Sequence, residues 1–132
     1  MVIETVVNKK EIIQELRSHF AQELETCRDL ERTKELKQWI LSLDVMPSRD
    51  YELGEPIIAS SLVELKMESM RSYCFLVTHG GGQVLSLKGV PIQVVTAQSP
   101  LGESLLGKKS GESFSIASRS GAQRLYQILS AR

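Results

Sequence analysis

The chain has 132 residues, which suits one typical domain or one small domain with an appendage, and its 16 basic and 16 acidic side chains give a net charge of zero. This balance argues against sequence-blind electrostatic binding to nucleic acid, and we expect no direct sequence-specific binding to it either. No run reaches the roughly 18 apolar residues of a membrane span. The start, MVIETVVNKK, lacks a signal-peptide hydrophobic stretch. We therefore expect a cytoplasmic protein with no membrane partner.

The N-terminal part is predicted to be helical. From Lys9 to Leu43 there is no Gly or Pro. Asn8 can cap the first turn, and Glu11 three residues later completes a capping-box pattern. Pro47 ends the helical region. We therefore predict a helical, coiled-coil-like arm over residues 8–46. Its apolar stripe consists of Ile13, Leu16, Phe20, Leu24, Cys27, Leu36, Trp39, Ile40 and Leu43.

The arm has two alternative forms, because its stripe weakens between Arg28 and Lys37. It is either one long helix or a hairpin that turns near residues 28–33. The 35 residues from Lys9 to Leu43 would span about 52 Å as a straight helix and about 25 Å as a folded hairpin. A straight helix would leave its apolar stripe uncovered unless it paired with another chain, as in a homodimer, or lay against its own domain.

The C-terminal part is predicted to be a small, mostly antiparallel α+β domain over residues 57–132. Apolar and polar residues alternate in short segments that are bounded by Gly, Pro and Ser. The glycine run at 80–82 is interpreted as a flexible hairpin connection, and Cys74 as a core residue. The predicted strands cover residues 61–67, 72–77, 83–87, 90–96, 112–118 and 123–130.

The segment QSPLGESLLGKKSG, residues 98–111, predicts a short capped helix. Ser99 fits the N-cap, Pro100 fits the first helical position, and Gly107 fits the left-handed residue after the end. We expect the helix over 100–106, with Leu105 and Leu106 packing on a sheet. A phosphate-binding loop is the alternative, since the GxxxxGK spacing is present. However, Lys109 stands where that motif needs Ser or Thr, and no nucleotide or other cofactor is expected.

The sequence contains few combinations of side chains that are typical of a catalytic site. His19 and His79 each stand alone, and neither Cys27 nor Cys74 has a local histidine that would activate its thiol. The two cysteines match no zinc or disulfide spacing. We therefore expect no enzyme, no metal site and no catalytic residue of the chain's own.

The stretch VVTAQSPLGESLLGKKSGESFSI, with the final RLYQILSAR, resembles the C-terminal domain of the bacterial Gre family of transcript-cleavage factors (GreA/GreB). The resemblance covers roughly residues 57–132, and the preceding glycine run resembles one Gre-like branch. It implies an FKBP-like antiparallel fold and docking on RNA polymerase near its secondary channel. The partner-binding residues that it implies are Ser99, Pro100, Leu101, Gly102, Leu105, Leu106 and Lys108.

The arm departs from the family pattern. The family's helical hairpin is roughly twice as long and carries an acidic tip that resembles GDLSENAEY, which this chain lacks. In the family those carboxylates help to hold a second magnesium ion in the polymerase's own active site. Asp29 and Glu31 would lie at the tip of a short hairpin here. A shortened arm is similar to that of the Rnk type.

Three functions remain open at this point, beside the possibility that the helical arm is an oligomerisation device. The first is an RNA-polymerase-binding transcription regulator that does not stimulate transcript cleavage. The second is a cleavage (elongation) factor that uses Asp29 and Glu31. The third is an FKBP-like peptide-binding or isomerase module, for which the C-terminal domain supplies few aromatic side chains.

Overall fold

The computed structural model describes residues 8–52 and 54–132. It confirms an α+β fold with an N-terminal helical segment, followed by one six-stranded sheet. No helix in these ranges is long and apolar enough to cross a membrane. Residues 1–7, which are most of the N-terminal stretch without a signal-peptide pattern, lie outside the described residues. The elements are α1 (Lys9–Thr26), α2 (Leu30–Asp44), β1 (Leu62–Met67), β2 (Met70–Val77), β3 (Val84–Leu87), β4 (Val90–Thr96), α3 (Pro100–Leu105), β5 (Ser113–Ala117) and β6 (Gln123–Ala131).

The N-terminal segment is a helical hairpin, not one straight helix. The Asn8 side chain accepts a hydrogen bond from the Glu11 amide at 2.9 Å, as the cap prediction requires. α1 ends at Thr26, and the Asp29 side chain caps the start of α2. An ion pair of 2.7 Å between Arg17 and Asp44 joins the two helices near their base. The predicted break therefore falls at residues 27–29.

The hairpin packs against the face of its own sheet. Ile12, Leu16 and Phe20 of α1 are fully buried, and so is Leu36 of α2. Burial of a large apolar side chain stabilises a fold by about 1.5–3 kcal/mol, so this contact is a substantial part of the core. The apolar stripe of the arm thus packs against the chain's own sheet. A homodimer through this stripe stays a prediction. The sheet residues in the same cluster include Leu62, Tyr73, Phe75, Val77, Leu85, Ile92 and Val94.

Two contacts set the direction of the hairpin. Glu11, in the first turn of α1, pairs with Lys88 in the β3–β4 turn at 3.4 Å. Phe20 lies against Gly80, which follows the end of β2. α1 therefore runs in the direction of β4, and the hairpin tip points past the end of the sheet where β2 and β4 finish. Six residues of α1 follow Phe20, so this helix continues about 9 Å beyond the contact.

The strand order is β3-β4-β2-β1-β6-β5, and four of the five pairings are antiparallel, so the sheet is mostly antiparallel as expected but not fully so. β2 and β4 are parallel neighbours, and β3 lies outside β4 at the edge. The chain leaves β2, crosses the end of the β4 position, forms β3, and then returns as β4 between them. The glycine run is that crossover, so its interpretation as a hairpin connection is wrong. Gly80 and Gly82 adopt φ values of +80° and +111°, which favour glycine.

The base of the hairpin is closed by a buried lysine. Lys9 is 1% exposed, donates from Nζ to the Arg49 carbonyl at 2.8 Å, and lies 3.9 Å from the centre of the Tyr51 ring. The Tyr51 hydroxyl is in turn hydrogen-bonded to Ser60. Burial lowers the pKa of Lys9 from 10.5 to about 8, against the opposing attraction of Asp50. The connection after α2 is therefore fixed to both the hairpin and the sheet.

Candidate docking site

The predicted short helix is present as α3 and begins as the sequence indicates. The Ser99 Oγ accepts from the Gly102 amide at 3.0 Å and donates to the Thr96 carbonyl at 2.8 Å. Pro100 is the first helical residue. The helix ends at Leu105, one residue before the predicted end, and Gly107 follows with φ +81°. α3 is thereby fixed to the end of β4.

Two of the residues predicted to bind a partner, Gly102 and Leu105, are buried. A Cβ built on Gly102 would lie 1.9 Å from the Thr96 carbonyl oxygen, so only glycine lets α3 approach the backbone this closely. Leu105 is 0% exposed and packs in the cluster on the second face of the sheet. Both residues therefore position α3 on the sheet, and their contact with a partner stays a prediction.

The end of α3 also differs from the prediction. Leu106 is 40% exposed, so its predicted packing on the sheet is wrong. The Lys108 carbonyl accepts from the Ile57 amide at 2.8 Å, and the Gly107 amide donates to the Ile57 carbonyl at 2.9 Å. The Lys108 Nζ lies 5.8 Å from the centre of the Phe114 ring. Leu106 is left as an apolar side chain that a partner could cover.

A cleft of about 680 Å³ lies beside the first turn of α3. Ser99, Pro100 and Leu101 form part of its wall, and Arg71 supplies a positive charge. None of the described lining residues is His, Cys, Asp or Glu, the side chains that most often supply metal ligands and acid–base groups. The cleft suits an apolar protein segment, and its methionines can adapt to an irregular surface. Its remaining lining includes Leu65, Met67, Met70, Val95, Thr96, Ile116 and Tyr126.

At the hairpin tip, the two candidate acidic residues have different roles. Asp29 Oδ1 accepts from the Glu31 amide at 3.0 Å and from the Arg32 amide at 3.4 Å, so this oxygen is engaged in capping α2. Glu31 is exposed in the first turn. Residues two apart on a helix do not face each other. The described residues contain no cluster of three or more His, Cys, Asp or Glu side chains that could hold a metal ion.

The tip is held by an ion pair just behind it. Arg32 binds Glu23 of α1 through two nitrogens, at 2.6 Å and 3.1 Å, and its guanidinium lies 4.6 Å from the centre of the Trp39 ring. This hydrogen bonding lowers the pKa of Glu23. Leu30, between the two acidic residues, is 78% exposed. The outermost surface is therefore a mixture of charge and one leucine.

No family model and no curated protein sequence matches the chain, whereas one solved structure shows its fold. A structure of the transcription factor Gfh1 is 24% identical over 94% of this chain and 86% of that chain, with a TM-score of 0.50. The chain shares its fold with that factor. The GreA factor homolog Gfh1 of Thermus thermophilus is 21% identical, covering 94% and 87%, with a TM-score of 0.44. A transcription elongation factor GreA/GreB from Nitrosomonas europaea is 18% identical, covering 87% and 90%, with a TM-score of 0.42.

The fold is thus shared with the transcription factor Gfh1, while the FKBP-like detail and the shortened arm stay predictions. Sequence reasoning did not find the opposite wall of the cleft. Ile116 and Tyr126 belong to β5 and β6, and Met70 opens β2, so these residues meet only through the strand order. The alternation of apolar residues placed Ile116 and Tyr126 on strands but left Met70 between two, and it gave no signal that these residues share a groove with Pro100.

Proposed function

We propose that this chain is an RNA-polymerase-binding transcription regulator that docks near the secondary channel through the cleft beside α3 and does not stimulate transcript cleavage. One observation carries the proposal. Ser99, Pro100 and Leu101, which belong to the motif that resembles the Gre family, form a wall of a cleft of about 680 Å³. The fold shared with the transcription factor Gfh1 supports a role in transcription.

The geometry of the cleft supports a protein partner. Pro100 is exposed, and Leu101 is half-buried beside it, so the first turn of α3 presents apolar surface next to the groove. The helix is anchored by the Ser99 hydrogen bonds and by the close approach of Gly102 to Thr96. A preorganised wall binds at a lower cost in conformational entropy than a mobile one does.

The hairpin supports docking without cleavage. Beyond Phe20, the last α1 residue that is fully buried, α1 extends only about 9 Å. Asp29 uses one carboxylate oxygen to cap α2, and Arg32 lies one position beyond Glu31. Such a tip offers less negative charge for a magnesium ion than an uncapped acidic cluster would.

A pull-down with purified core RNA polymerase tests the docking claim. Pro100→Asp introduces a charge at the cleft wall, and acidic residues are tolerated in the first turn of a helix, so α3 should still form. We expect at least about tenfold weaker binding, equivalent to about 1.4 kcal/mol. Leu41→Asp on α2 is the matched control, because Leu41 is 64% exposed and does not line the cleft. Absence of wild-type binding, or equal binding by the Pro100→Asp variant, would refute the claim.

Transcript cleavage is the second candidate, because Asp29 and Glu31 do lie exposed at the hairpin tip. The test adds the protein to stalled elongation complexes and follows the length of the RNA. An Asp29→Asn/Glu31→Gln variant removes both charges and keeps an N-cap acceptor at position 29. We expect no shortening with the wild-type protein. Shortening that the double variant abolishes would establish cleavage stimulation instead.

The FKBP-like peptide-binding or isomerase alternative has weaker support. Isomerase and peptide sites of this kind rely on aromatic walls, and Tyr126 is the one aromatic side chain among the described residues that line the cleft. A proline-isomerisation assay on a short peptide is expected to show no acceleration. Acceleration that Tyr126→Ala removes would favour this alternative.

A further inference from the structure

The glycine run touches the hairpin on one side and the end of β4 on the other. A Cβ built on Gly80 would lie 2.6 Å from Phe20 Cζ and 3.2 Å from Trp39 Cδ2. A Cβ built on Gly81 would lie 2.7 Å from Thr96 Cγ2 and 2.8 Å from the Thr96 amide nitrogen. Real Cβ atoms essentially never approach closer than 3.0 Å. Two consecutive glycines therefore pack in direct contact with two different elements.

The contact continues from Thr96 into α3. The Thr96 carbonyl accepts from the Ser99 amide at 3.2 Å and from the Ser99 hydroxyl at 2.8 Å. The same oxygen is the closest neighbour of the missing Cβ of Gly102. An unbroken series of close contacts thus runs from the hairpin, through Gly80, Gly81 and Thr96, to α3.

We infer that Gly80 and Gly81 are positioning residues that fix the angle between the helical hairpin and α3. The importance of this angle rests on the proposed function. When α3 docks on a partner, a fixed angle also sets where the hairpin tip lies. A side chain at position 80 would press on Phe20 and Trp39, which belong to the hairpin. A side chain at position 81 would press on the backbone of Thr96. Either change separates the two elements.

The expected displacement follows from the geometry. A Cβ at position 80 must retreat from 2.6 Å to an ordinary contact of about 3.6 Å from Phe20 Cζ, an opening of about 1 Å. Phe20 lies about 16 Å along α1 from Lys9, and the end of α1 lies about 26 Å along it. A hairpin that pivots at its base would therefore move its tip by about 2 Å.

The experiment measures the distance between spin labels at the tip and on α3, by pulsed electron resonance on the isolated protein. Labels at Arg28→Cys and Glu103→Cys, in a Cys27→Ser background, leave the buried Cys74 unlabelled. The matched pair is Gly80→Ala and Gly89→Ala, whose φ values are +80° and +81°. Only position 80 has neighbours within 4 Å of the added carbon. The two substitutions therefore introduce the same backbone strain, and only Gly80→Ala also introduces a packing clash.

Gly80→Ala is expected to shift or broaden the distance distribution by about 2 Å, whereas Gly89→Ala leaves it unchanged. Phe20→Leu removes Cζ, so adding it to Gly80→Ala should restore the original distance. An unchanged distance in Gly80→Ala, or the same change in Gly89→Ala, would overturn the inference. If Gly80→Ala does not fold, Gly81→Ala carries the same test through Thr96.

The result is independent of the proposed function, because no polymerase is present in the distance measurement. Gly80 does not line the cleft, so Gly80→Ala should still bind polymerase in the pull-down. A wild-type protein that fails to bind polymerase would refute the docking proposal and leave the distance result standing. A Gly80→Ala variant that binds polymerase but keeps the wild-type distance would refute only the positioning role.

Discussion

Gly102→Ala tests how tightly α3 is held to the sheet. The added Cβ would lie 1.9 Å from the Thr96 carbonyl oxygen and 3.1 Å from the Ala97 Cα, and both neighbours are backbone atoms that cannot rotate away. Introducing a methyl group into a packed site usually costs about 1–3 kcal/mol. The higher helix propensity of alanine returns up to about 1 kcal/mol. We therefore expect a net destabilisation of about 2 kcal/mol, with α3 displaced from β4.

Thermal unfolding followed by circular dichroism measures this effect. For a chain of this size, about 2 kcal/mol corresponds to a fall in Tm of roughly 5–8 °C. Gly107→Ala is the control at the other end of the same helix, where φ is +81° and nothing lies within 4 Å of the added carbon. That substitution should cost about 1 kcal/mol, from left-handed strain alone. A Gly102→Ala protein at least as stable as Gly107→Ala would refute the close-packing account of α3.

Three further predictions concern the base, the tip and the thiols. Because the pKa of Lys9 is about 8 when folded and 10.5 ordinarily, the unfolded chain binds more protons between these values. The free energy of unfolding should therefore rise by up to about 3 kcal/mol from pH 8 to pH 10.5, and a flat urea-unfolding profile, or the same rise in Lys9→Met, would contradict this. Asp29→Ala should lose about 1 kcal/mol of stability through the lost cap and Asp29→Asn only a few tenths, so equal chemical-denaturation midpoints would argue against capping. Burial raises the pKa of Cys74 to about 12, so iodoacetamide should label Cys27 alone in the folded protein, and mass spectrometry showing labelled Cys74 would contradict its core position.

The sequence predicted the local elements well because their signals are local. The Asn8 and Ser99 caps, the 90–96 strand and the break before α2 all depend on neighbouring residues. The crossover of the glycine run did not follow from such signals, since a glycine cluster fits a hairpin and a crossover equally well. Strand order depends on which pairing buries more apolar surface, and this is a property of the whole chain.

The candidate site was predicted in part. Ser99, Pro100 and Leu101 do line a cleft, whereas Gly102 and Leu105 are buried. A motif records both the residues that contact a partner and those that build the element, and a single sequence does not separate them. Burial separates them here, because the Gly102 backbone touches Thr96 while Pro100 remains exposed.

The central claim is that the first turn of α3 contacts RNA polymerase. The most direct measurement places the photo-crosslinking residue p-benzoylphenylalanine at position 100 and, as a control, at position 41 on α2. After irradiation with core RNA polymerase, docking through the cleft predicts a crosslinked polymerase subunit for position 100 and little or none for position 41. Crosslinking from position 41 but not from position 100 would contradict docking through the cleft.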